Sequence, residues 1–283
     1  MYRTFTLRNE KGQEYPLSSP DFERYGFLTE PDGLGIDIKN TYVKLGETFL
    51  LTGSDIQQGE FEGTMLFPSY SVFREFADFL FSSNSLTLLY EYDGAPGVYH
   101  RQFTVKKIDK GEMNENGLLE CGITYELSTL YYLENKTNYY VVASETDRRY
   151  TIPYPNRYVD FDSLNLVISN DGHIPASFSC TIWGYIEKPR IRITALNDWE
   201  RFNIQFPVTL QNGECIKYSS QDGNAYIQYV NSAGVVTNLL PSMSITRNNF
   251  IKIPKGYYRL YFSGDTPVTN EITYTVYKYY KAV

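Results

Sequence analysis

The chain has 283 residues, 42% of them hydrophobic, and a formal net charge of −7; this is a folded composition, long enough for one large domain or two ordinary ones. No apolar run approaches the roughly eighteen residues of a membrane span, the amino terminus lacks the apolar core of a secretory signal, and three widely spaced cysteines (Cys121, Cys180, Cys215) exclude a disulfide framework. Residues 1–134 hold 11 Lys and Arg against 21 Asp and Glu, a net −10, whereas residues 135–283 carry +3; the acidic first half argues against a nucleic-acid partner, which requires a basic face.

The aromatic content is high, with 27 Tyr and 17 Phe. Tyrosine favours half-buried pleated surfaces and interfaces, so the composition points to β structure with extensive contacts. In chain order, "GTMLFP" reads as a strand and "SYSVFREFADFLFSS" as a helix. Val72, Phe73, Phe76, Phe79 and Leu80 form one apolar stripe, with Arg74, Glu75 and Asp78 facing away. Pro68 and Ser69 or Ser71 mark its start. "LTLLYEY" and "RQFTVKKI" read as strands around the turn "YDGAPG". In "LLECGITYEL", Leu119, Cys121, Ile123, Tyr125 and Leu127 share one face, which makes Cys121 a small buried hydrophobe.

The alternation stops over the Tyr- and Pro-containing stretch 135–165, read as a linker between a domain 1–134 and a domain 166–283; its centre, "IPYPNRY", is extended because a residue before proline avoids the helical region. The second half returns to strands and turns. Ile191 and Ile193 alternate with Arg190 and Arg192, and Phe202, Ile204, Phe206 and Val208 with Asn203, Gln205 and Pro207. "CIKYS" and "AYIQYV" flank "QDGN", a hairpin turn because Asp-Gly tolerates positive φ. "FIKIPKGYYRLYFSG" and "EITYTVYKYY" close the chain. The expected fold is mainly β: an N-terminal β-sandwich or barrel-like domain with one amphipathic helix, then a C-terminal β-sandwich.

The search for chemistry gives no catalytic set. His173 precedes Cys180 by seven residues in "NDGHIPASFSCTIW". The period of two, however, turns Cys180 inward with Ala176, Phe178 and Ile182, where a thiol is inert, and leaves His173 in an exposed turn. The second histidine, His100, is remote, and two histidines without close carboxylates do not make a common zinc site. Phosphate-binding, nucleophile-elbow and dinucleotide motifs are absent, and no carboxylate pair is singled out as a glycosidase needs. The chain is therefore expected to be no enzyme and to use no cofactor or metal. Trp183 and Trp199 are the candidate contacts for a partner or a glycan.

The layout resembles the distal tail (Dit) proteins of phages with long non-contractile tails. The likeness rests on the helix "SVFREFADFLF" between strands, the connector "TIPYPNRYV", and "NDGHIPASFSCTIWG" followed by "KPRI". It rests also on "IPKGYYRLYFSG", with Pro254 and Gly256 in a turn. It implies a hexameric ring formed by the first domain at the virion tail tip, joining the tail tube protein to tail-associated lysin or fibre. It also implies an outward, galectin-like second domain that docks receptor-binding proteins or touches a host-surface glycan. The alternative is a carbohydrate-binding adhesion module using Trp183 or Trp199.

Overall fold

The computed structural model describes residues 3–141, 166–196, 200–244, 246, 248–265 and 270–283. The chain divides into two compact units, Met1–Leu133 with Tyr279–Val283, and Glu134–Lys278. The described elements run β1 (Arg3–Asn9), β2 (Glu14–Pro16), α1 (Phe22–Tyr25), β3 (Phe27–Asp32), β4 (Ile38–Leu45), β5 (Thr48–Ile56), β6 (Glu60–Phe67), α2 (Tyr70–Leu80), β7 (Leu86–Tyr92), β8 (Tyr99–Met113), β9 (Leu119–Leu127) and β10 (Tyr131–Val141). Then come β11 (Leu166–Asn170), β12 (Ala176–Trp183), β13 (Ile186–Glu187), β14 (Arg190–Ala195), β15 (Glu200–Gln205), β16 (Thr209–Leu210), β17 (Cys215–Gln221), β18 (Asn224–Val230), β19 (Val236–Asn238), β20 (Lys252–Ile253), β21 (Gly256–Ser263) and β22 (Asn270–Tyr280). The fold is mainly β, as the alternation requires.

In the first unit, β8 is the hinge of the architecture. Its fifteen residues pair β7 through Tyr99–Phe103 and β9 from Phe103 onward, with two register shifts. The first half thus joins the run β8-β7-β1-β2, and the second half joins β8-β9-β6-β3. Both halves close over one core with α2, and the sheet stays open rather than forming a barrel. Ser69 caps the helix, its Oγ accepting from the Val72 N–H at 3.4 Å. Phe76 and Leu80 are fully buried, with Val72, Phe73 and Phe79 packed beside them, as the stripe predicts. Phe76 lies 5.2 Å from both the Tyr15 and Phe67 rings, and Phe103 stacks on Tyr125 at 4.3 Å. Tyr280 and Val283 also pack on this core.

Three features differ from the sequence reading. A second helix, α1, is one turn long and ends at Gly26 (φ 70°), too short for any periodicity to show. β10 continues to Val141, so the start of the stretch read as a linker is strand; the rest of it, 142–165, lies outside the described residues. Residues 38–56, to which no element was assigned, form the hairpin β4–β5.

The second unit is a two-sheet sandwich. β11-β21-β14-β15 form one sheet, and β19-β18-β17-β12-β22 the other, with β20 at the start of β12. Ile191, Ile193, Ile204 and Leu260 from the first meet Phe178, Cys180, Ile216, Tyr218 and Ile272 from the second in one core. The Asp222–Gly223 turn joins β17 and β18 with Gly223 at φ 76°. The Pro254–Gly256 turn does not make a hairpin: β20 pairs β12 while β21 pairs β11 and β14, so this turn hands the chain from one sheet to the other. The "NDG" turn is held by the buried Asn170, whose Nδ2 donates to the Ile174 and Ile253 carbonyls at 3.0 and 2.8 Å.

Emptying the space under α2 is expected to unfold the first unit readily. Phe76→Ala should lower stability by about 3–5 kcal/mol, read as a fall in the urea midpoint.

Candidate assembly surface

Every residue of β4 is exposed, and of β5 all but one. Pairing runs from Ile38↔Ile56 to Leu45↔Thr48 with a bulge between Thr41 and Tyr42. Alternation then places Tyr42, Leu51 and Phe49 on one face of the outer half, and Val43, Leu50 and Leu45 on the other. Phe49 is 68% exposed, and Tyr42, Leu45, Leu50 and Leu51 each more than half. A ribbon with apolar groups on both faces has no polar side to offer water. Contiguous apolar surface of this kind marks an interaction site.

The ribbon is built to project. Gly46 (φ 62°) and Glu47 make its tight turn, and the Thr48 and Thr52 hydroxyls donate to the Leu45 and Thr41 carbonyls at 3.0 and 3.1 Å. Its root is fixed in the first unit. The Gln57 N–H donates to the Asp37 carbonyl at 2.9 Å. Gly33 sits at φ 87° against the Glu60 backbone, where a Cβ would collide with the carbonyl, so only glycine fits. Arg101, 2% exposed, donates from Nε to the Thr129 carbonyl at 3.0 Å and from a terminal nitrogen to the Gly33 and Gly35 carbonyls at 3.5 and 3.4 Å. Its guanidinium lies 4.6 Å from the Tyr131 ring. Burial lowers the Arg101 pKa from its ordinary value, and the Tyr131 phenol group opposes that shift. A buried cation is thus held by carbonyl dipoles and a ring at the foot of the hairpin.

Cys180 is buried in the core of the second unit and His173 is exposed in its turn. Burial alone pushes the Cys180 thiol far above its ordinary range, and burial, with Asp109 adding to it, pushes Cys121 up to about 11. His100 is buried beside Tyr132, ring centroids 5.4 Å apart. Among the described residues no three His, Cys, Asp or Glu side chains are grouped to hold a metal ion. Trp183 ends β12 on its outward face, opposite Glu271 and Cys215, and is 39% exposed. Trp199 lies outside the described residues.

The feature of the first unit that points outward from its core is the rooted apolar arm. Residues 4–127 match the family model described as distal tail protein, N-terminal domain. That match takes in most of the first unit, which is thus similar to a distal tail protein N-terminal domain. No curated protein gives a significant match. Among solved structures, a chain of the phage P2 baseplate in its activated conformation with Ca is similar in fold at 16% identity and TM-score 0.71, over 100% of both chains. The same baseplate with Sr gives 16% and 0.70. The SPP1 Dit protein, described as a paradigm of hub adsorption apparatus in Gram-positive infecting phages, gives 10% and 0.59, over 96% of this chain and 98% of that one.

Two outcomes test this description. All three cysteines should resist a thiol reagent at pH 8 in the native protein and react together on unfolding, since each is buried and its thiol pKa is raised. Arg101→Ala should cost about 2–4 kcal/mol and speed amide exchange at 33–37 before the rest of the unit, because the carbonyls of Thr129, Gly33 and Gly35 lose their buried donor together.

Proposed function

We propose that the protein is the hub ring of a phage tail tip, closed by head-to-tail contacts in which the β4–β5 ribbon of one copy lies on the first unit of the next. The ring joins the tail tube to tail-associated lysin or fibre proteins, and the second unit reaches outward to receptor-binding proteins. The observation that carries this reading is the ribbon itself, apolar and exposed on both faces in the single chain. Identical subunits that each present an arm to the neighbour close into a ring when the rotation repeats. An arm of this size supplies the buried apolar centre that a stable interface needs. The distal tail match and the fold shared with baseplate chains support the place in the virion; six copies and a galectin-like character of the second unit are part of the same proposal. Trp183, outward on β12, is the proposed contact of that unit with a partner or host-surface glycan.

The test is the solution mass of Phe49→Asp/Leu51→Asp beside that of the wild type, by light scattering with negative-stain images of each peak. The wild type is expected to form closed rings and the variant folded monomers. Rings of unchanged size from the variant would refute the role given to the arm.

A further inference from the structure

The strands β11, β14, β15 and β21 of the second unit hold four arginines, no lysine and one carboxylate, Glu200. Register and burial put all four cations on the same face. Ile191, Ile193, Ile204 and Leu260 enter the core. By the period of two, Arg190 and Arg192 on β14, Arg201 on β15 and Arg259 on β21 therefore point away from it. Arg192 lies opposite Asn203 on one side and Tyr261 on the other, and Thr194 lies opposite Arg259.

This face has more donors than acceptors. Among the described residues, an ion pair joins Arg190 Nη2 to Asp265 Oδ1 at 2.8 Å, beyond the end of β21. The buried Nε–H of the same guanidinium has no hydrogen-bond partner there, and neither has the buried Thr194 hydroxyl. Arg192 is exposed, and its guanidinium lies over the Tyr261 ring, 4.5 Å from the centroid. A guanidinium stacked on a ring keeps its N–H edge for an acceptor in its own plane, and a carboxylate fills that edge with two parallel bonds. Arg201 is exposed on the outermost strand of the sheet.

The chemistry of the face selects its occupant. What it lacks is acceptors and negative charge. A second copy of the same face would set arginine against arginine. A neutral sugar brings a donor with each hydroxyl acceptor, and the Tyr261 ring on which it could stack is taken by Arg192. A phosphate chain is held by charge and has no use for apolar groups. Here apolar groups stand beside the charges: Val167 lies opposite Arg259, and Tyr257 follows on the same face of β21, both more than half exposed. Arginine and tyrosine with apolar neighbours and without lysine are the composition of a protein interface.

We infer that this sheet face is the docking surface for another protein of the tail tip, one whose own surface bears carboxylates. Its Asp and Glu side chains answer Arg192 and Arg201, and its apolar groups meet Val167 and Tyr257. The inference rests on the tail-tip reading for where the partner is found, and it does not depend on the β4–β5 arm.

The experiment treats the isolated protein and purified phage particles with an arginine-selective dicarbonyl and reads modification by mass spectrometry. Arg192 and Arg201 should react in the isolated protein, and their reaction should be lost in the particle. In particles carrying Arg192→Lys, which keeps the charge, a zero-length carbodiimide should couple the introduced amine to an Asp or Glu of a different protein. Equal reaction of both arginines in particles that contain the chain would overturn this proposal alone. Particles lacking the chain would overturn the tail-tip reading and this proposal with it. Coupling only to a second copy of the chain would overturn the choice of partner. Protection that appears only when host cell walls are added would assign the face to a surface polyanion and overturn the proposal as well.

Discussion

A two-stranded ribbon can bury one face on a body and leave the other wet, but it cannot bury two. The β4–β5 arm carries Tyr42, Leu51 and Phe49 on one face and Val43, Leu50 and Leu45 on the other, and both are exposed. An isolated hairpin is marginal in water, so this one depends on its root and on whatever covers its faces. The root is where the rest of the first unit is engaged. Gly33 gives the chain its left-handed step beside Glu60, and Arg101 ties the carbonyls of Gly33 and Gly35 to the strand β8 on which it sits. β8 in turn is fixed by the core under α2. The arm is thus held in a fixed direction by a buried charge, which costs stability unless several dipoles answer it.

The second unit solves the same problem of sheet edges by other means. Its two sheets share one core, and the turn through Pro254 and Gly256 carries the chain between them. The buried Asn170 side chain closes the entry turn, its Nδ2 donating to two carbonyls and its Oδ1 accepting from the Gly172 N–H. At β15 the sheet ends with no further strand paired among the described residues, and Pro207 follows the edge, where it lacks an N–H to offer a neighbouring chain.

Where one face is buried and the other wet, the sequence was readable. β9, β12 and the stripe of α2 fall where their periods place them, because each meets a core on one side. Cys180 and His173 likewise take the structural roles that the period of two assigns. The β4–β5 arm escaped because its signal is the reverse. With apolar side chains on both faces of "TYVKLGETFLL", alternation vanishes, and only β-branched residues around Gly46 hinted at a hairpin. α1 is too short to carry a period, and the role of Arg101 depends on contacts across more than sixty residues of chain.

The central claim is that the arm of one copy is covered by another. A photo-cross-linking residue placed at Leu50, activated in purified particles and read by mass spectrometry, tests it directly. The account requires links from Leu50 to the first unit of a second copy of this chain. Links confined to the arm's own chain, or solely to a different protein, would contradict it.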